Sequence, residues 1–160
     1  MFKLYFSILR YFKKKKFNRH VSLGDLVFER ENTAKFYGFG EGTTCYNNVL
    51  ILGDVKVGKN SWIGPNAILD GSGGLEIGDN CTICAGTHVY SHNSIQKESI
   101  VRKEVFIGNN SYIGPNSIIQ MGVTIGDDVI VGALSFVNKD IPSGMKWLGS
   151  ELKEGNEDSR

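Results

Sequence analysis

The chain has 160 residues, 41% of them hydrophobic and 22% charged. That is one domain's length with enough apolar matter for a core, which excludes a disordered or collagen-like chain. A net charge of +1 gives no general case for nucleic acid, three cysteines argue against a disulfide framework and for a reducing cytoplasm, and no apolar run reaches the ~20 residues that cross a bilayer.

The chain opens on a basic, aromatic block. Residues 1–20 carry Lys3, Arg10, Lys13, Lys14, Lys15, Lys16 and Arg19 without one acidic group, while the remainder holds eleven basic groups against seventeen acidic ones. Phe2, Tyr5, Phe6, Leu9 and Phe12 recur at spacings of three and four, which predicts an amphipathic helix. Two roles fit such a helix. It can bind an anionic membrane surface through residues 1–16, or cap the end of the domain that follows. His20 closes the block and reads as solvated or capping.

Residues 21–149 form the main domain, and its pattern is a repeat. Ile51, Val57, Ile63 and Leu69 stand six apart; after a two-residue slip the same step runs through Ile77, Ile83, Val89, Ile95, Val101, Ile107, Ile113, Ile119, Ile125, Val131 and Val137. The next residue is often glycine (Gly58, Gly64, Gly78, Gly108, Gly114, Gly126, Gly132). The fourth is small (Ser61, Ala67, Cys81, Thr87, Ser111, Ser117, Ser135). A period of six fits a short strand plus a tight turn, and three such units close a coil of about 18 residues with the aliphatics inside. Asp79-Asn80, Asn109-Asn110 and Asp127-Asp128 fall at corners that need unusual dihedrals. Stacked coils predict an all-β chain, a parallel β-helix of about five coils.

Two stretches interrupt the pattern. The slip falls in Gly71-Ser72-Gly73-Gly74, a small bulge at a corner. Ser91 to Glu104 keeps the aliphatic spacing but loses every glycine and gains charge, which favours an extruded loop over a coil. Residues 150–160 are polar and read as a frayed tail.

Three segments, GLEIGDNCTICAGTHVYSH (74–92), VFIGNNSYIGPNSIIQMGVTIGDDVIVGA (105–133) and SFVNKDIPSG (135–144), carry a resemblance over roughly residues 45–149. The chain resembles the hexapeptide-repeat acyltransferases, nearest to bacterial sugar O-acetyltransferases of the maltose and galactoside type. The resemblance implies a left-handed β-helix, against the usual crossover hand. It implies acetyl-CoA as co-substrate, a sugar or glycan acceptor in surface-polysaccharide synthesis, a homotrimer with sites between subunits, and no metal.

It also implies a base. A sugar hydroxyl is a poor nucleophile until its proton is taken, and histidine suits that task near neutral pH. His92 stands three residues after Val89, where the repeat breaks, and matches the family's catalytic histidine. Stacking would place Ser72 and Asn110 at its corner and Asp70 beside it, to orient the imidazole or bind sugar hydroxyls. His88, facing outward on the preceding strand, is a second candidate for the acceptor site. Positions matching the family's CoA groove are Gly114, Ala133, Asn138 and Lys139. The chain departs from the family at Leu134, where glycine is usual, and at Met121, where a proline or small residue is usual.

Other chemistries fit less well. Cys81 and Cys84 form a CxxC, but Cys81 occupies a small-residue slot and Cys84 a glycine slot, so both read as packing. A zinc site of three histidines would have to recruit His20 from outside the repeat. N-acetylation of an amino-sugar nucleotide and a non-catalytic β-helix scaffold stay open as alternatives.

Overall fold

An inward aliphatic at every sixth position leaves each strand only a few residues before the chain must turn. The computed structural model describes residues 2–17, 23–96 and 99–153. In it, short strands such as Trp62–Ile63, Thr82–Ile83, Tyr112–Ile113 and Ile130–Val131 stack in parallel, each an outward residue followed by a buried one.

Three columns of buried side chains result. The first face stacks Cys45, Ile63, Ile83, Ile113, Val131 and Trp147. The second stacks Leu69, Val89, Ile119 and Val137. The third stacks Val57, Ile77, Ile107, Ile125 and Ile141. All fifteen are buried and belong to one core. The architecture is a left-handed parallel β-helix of about five turns. Continuous burial along a shared core, rather than local propensity, holds such a solenoid together.

The glycine and small-residue slots have complementary work. A Cβ on Gly114 would lie 2.6 Å from the Ala133 backbone nitrogen, so a bare backbone lets the next coil approach. The small side chains tie coils together: Ser61 Oγ donates to the Gly78 carbonyl at 3.1 Å, Ser111 Oγ to Gly126 at 3.0 Å and Ser117 Oγ to Gly132 at 2.8 Å. Cys81 fills the same slot, its Sγ on the Gly108 carbonyl at 3.0 Å. Burial pushes its thiol up, and pushes that of Cys45 to about 12, so neither is a reactive thiolate near neutrality. Asn80, Asn110 and Asp128 take left-handed φ of 56°, 56° and 57° at the corners, as their pattern predicts.

Both interruptions are resolved. The strand Ile68–Ile77 runs through Gly71–Gly74, with a register shift against the strand Leu50–Val57 where the two extra residues are absorbed. Ser91 to Lys103 leaves the prism as an antiparallel hairpin, His92–Gln96 against Ser99–Arg102. Its root is closed by Lys103 N on the Ser91 carbonyl at 2.9 Å. Val101 is therefore an exposed hairpin residue and not a core position, despite its spacing. The repeat instead resumes at Val105 and Ile107, both buried.

The ends differ from expectation. The open first coil is covered by residues after the basic block: the helix α3 (Arg30–Phe36) and the residues after it bring Ala34 and Phe39 into the core, while the helix α2 (Leu23–Val27) before it buries Leu26. The N-terminal helix α1 (Phe2–Phe17) is not the cap, because Leu4, Tyr5, Ile8, Tyr11 and Phe12 stay exposed. At the other end Glu151–Lys153 pairs antiparallel with Lys146–Leu148, so the polar tail begins as a strand. Among the described residues, no helix is long and apolar enough to cross a membrane. His20 lies outside the described residues.

Candidate active site

The second face ends at a corner where the side chains after Leu69, Val89, Ile119 and Val137 stack. Asp70 follows Leu69 and is fully buried. A buried carboxylate needs donors, and this one has them: Ser72 N at 2.9 Å on one oxygen, Ser91 N at 3.0 Å on the other. His92 Nδ1 lies 2.5 Å from that second oxygen. Burial pushes the pKa of Asp70 up, but the hydrogen bonds from Ser72, His92 and Ser91 outweigh it and hold the carboxyl at about 2. An ionised Asp70 accepts, so His92 carries its proton on Nδ1 and keeps the Nε2 lone pair free.

The glycines around this corner make the approach possible. A Cβ on Gly73 would sit 2.4 Å from the Ser91 carbonyl oxygen. Gly73 N instead donates to Ser91 Oγ at 2.7 Å, locking the hairpin root onto the strand that carries Asp70. The bulge and the hairpin are thus one device: the first sets the carboxylate, the second delivers the imidazole.

His92 opens into a cleft of about 230 Å³ shared with Tyr90, Asn93, Ile118, Gln120, Met121 and Phe136. Its walls are mostly apolar, with Gln120 and Asn93 as amide contacts. Tyr90 Oη is 3.2 Å from His88 Nδ1, so His88 meets the cleft through a tyrosine that borders it. The periodic signal for Ile118 and Phe136 was in the sequence, as the outward residue before each buried aliphatic. Tyr90 and Gln120 carried no such mark.

The remaining sequence candidates divide. Ser72 is at the expected corner, and acts on Asp70 rather than on His92. Asn110 is not there: it follows the third face, where its side chain accepts from Asn80 Nδ2 at 3.1 Å and its φ of 56° turns the chain. The hairpin lies between the two corners: Val89 pairs with Ile119, about two hexads further on than a plain coil would give, so a simple count from His92 stops two corners short. Asn138 and Lys139 do share the His92 corner column, both exposed. Gly114 and Ala133 stack on the opposite edge of the second face.

A coiled prism with its titratable pair at one corner defines a hexapeptide-repeat β-helix with the fold of the acyltransferases of that class. The chain belongs to the GMPPB C-terminal domain family, whose model matches residues 45–156. Solved structures with the same fold include AntD, an N-acyltransferase from Bacillus cereus in complex with dTDP and 3-hydroxybutyryl-CoA. It is 25% identical, covering 72% of this chain and 69% of that one, with a TM-score of 0.66. A maltose O-acetyltransferase from Clostridium difficile 630 is 24% identical over 94% of this chain and 88% of that one, TM-score 0.55. A hexapeptide-repeat acetyltransferase from Vibrio cholerae is 20% identical over 94% and 93%, TM-score 0.58. Sequence comparison with curated proteins finds no match.

Proposed function

We propose that this protein transfers an acetyl group from acetyl-CoA to a sugar hydroxyl, with His92 as general base and Asp70 as its positioning residue. The observation that carries the reading is the 2.5 Å contact between His92 Nδ1 and the buried Asp70 carboxylate at the edge of an open cleft. His92 Nε2 takes the acceptor's proton as its oxygen bonds to the thioester carbonyl carbon. The tetrahedral adduct then expels the CoA sulfur, which receives the proton held by the imidazolium. Asp70 keeps the ring in one tautomer and balances its charge while the proton is in transit.

The residues present fit a CoA thioester. Ile118, Met121 and Phe136 offer an apolar wall to its arm, and the exposed Lys139, in the same corner column as His92, offers a cation to a phosphate. Tyr90, Asn93 and Gln120 supply hydrogen bonds for a sugar. Gly114 and Ala133 serve the adenine end. Their place on the far edge of the second face supports a site completed by a neighbouring prism in a homotrimer. The acceptor is a unit of a surface polysaccharide, and the reaction is cytoplasmic.

N-acylation of an amino-sugar nucleotide is the second reading, favoured by the likeness to AntD, which was solved with dTDP. The two separate in one assay. Acetyl-CoA consumption is followed with hydroxyl sugars, amino-sugar nucleotides and lipid-linked oligosaccharides in parallel, and the products are treated with mild alkali. An ester product that alkali cleaves supports O-transfer, and an amide that survives it overturns O-transfer. Absence of acetyl-CoA binding in calorimetry overturns both and leaves a scaffold.

A further inference from the structure

The helix α1 presents more uncovered apolar surface than any role inside the chain requires. Leu4 is 68% exposed, Tyr5 59%, Ile8 46%, Tyr11 63% and Phe12 62%. These residues fall on one side, at spacings of three, four and seven. They are not the stripe that aromatic spacing alone suggests. Phe6 and Leu9 of that stripe are half-buried, and Lys13 on the same side reaches Glu29 at 3.1 Å. The helix is therefore seated by one face and bare on another. Lys15 is exposed within the bare face and Lys14 flanks it. The cap next to it adds exposed Val27, Phe28, Phe36 and Tyr37.

We infer that this face of α1 docks on an anionic lipid surface, with the aromatic and aliphatic side chains at the level of the headgroups and the lysines against the lipid charge. Charge complementarity selects this occupant. Residues 1–20 hold seven basic groups and no acidic one, whereas the rest of the chain is net acidic. An anionic membrane attracts only this end and repels the prism, which fixes orientation as well as binding. A second copy placed on the same face would bring Lys14 and Lys15 against their own kind. Tyrosine and phenylalanine suit the interface, being apolar bodies beside a wet boundary. This inference does not depend on the chemistry proposed for His92.

The test is co-sedimentation of the full-length protein with vesicles of equal parts phosphatidylcholine and phosphatidylglycerol, against phosphatidylcholine alone. Binding to the anionic vesicles only, weakened by salt, is the expected result. Neutralising two cations, Lys14→Gln with Lys15→Gln, lowers partitioning by about thirtyfold, since each lysine at such a surface contributes about fivefold. Tyr5→Ser, Ile8→Ser and Phe12→Ser together lower it at least as much, with an unchanged melting curve. Failure to sediment with either vesicle, equal binding to both, or full binding by either variant overturns the inference. A smaller oligomer in the triple variant, together with indifference of the parent to vesicles, assigns the face to a second copy instead.

Discussion

His92 and Asp70 are 22 residues apart in the chain and 2.5 Å apart in space. Neither position is set by its own strand. Asp70 is fixed by the bulge that follows it, through Ser72 N, and by the hairpin root above, through Ser91 N. His92 is the first residue of that hairpin. The pair exists because two departures from the hexad repeat meet at one corner, so a change that regularises either one separates them.

Asp70→Asn keeps the shape and removes the charge. An asparagine offers the ring either a donor or a neutral acceptor, and a donor there forces the proton to Nε2, where it blocks base catalysis. Turnover falls by about a hundredfold or more, while KM for acetyl-CoA changes little. Steady-state kinetics of the purified variant measures the split. A loss confined to KM would mean that Asp70 binds substrate and does not position the base.

The same carboxylate makes stability depend on acid. Its folded value is about 2 against an ordinary 3.8, so it contributes fully above the ordinary value and its contribution is lost as pH falls through about 2. The difference is worth about 2 kcal/mol. Urea unfolding of the parent and of Asp70→Asn between neutral and strongly acidic pH should show a stability gap that narrows from about pH 4 downward. A gap constant across that range would contradict the assignment.

Leu134 occupies a corner with φ of 57°, in the column where Asn66, Gly86 and Asn116 also take positive φ. Those residues enter the left-handed region at low cost and leucine does not. Its side chain is 76% exposed and recovers nothing from the core. Leu134→Gly is expected to stabilise the protein by about 1 kcal/mol, a rise of a few degrees in Tm. Scanning calorimetry measures it; a lower Tm would show that the leucine is held by contacts beyond its own chain.

The prism was legible because its physics is periodic. One inward aliphatic in six specifies strand length, corner and column at once, so Ile63, Ile113 and Ile119 could be placed before any coordinate. The hairpin was legible as a loss of glycine, since Ser91 to Glu104 lacks the bare backbone that lets coils close. The departures were harder. Asn110 lies at another corner than the repeat predicts, because counting in sixes from His92 runs through the hairpin as though it were a coil. Tyr90 and Gln120 had no signal because the residue after each buried aliphatic sits at the corner and is unconstrained by the core. The cap could not be told apart from a membrane-binding helix, because hydrophobic spacing finds a helix but not which of its faces is covered. Residues 1–16 gave the more regular pattern, while Ala34 and Phe39 do the covering.

The most direct test of the account is turnover of His92→Ala beside its affinity for acetyl-CoA, both measured on a protein shown to melt as the parent does. His92 is about one-third exposed and makes its contact through one nitrogen, so its loss should spare the fold. The account predicts turnover lowered by about a hundredfold or more with acetyl-CoA affinity nearly unchanged. Turnover equal to the parent's, with affinity intact, would contradict it.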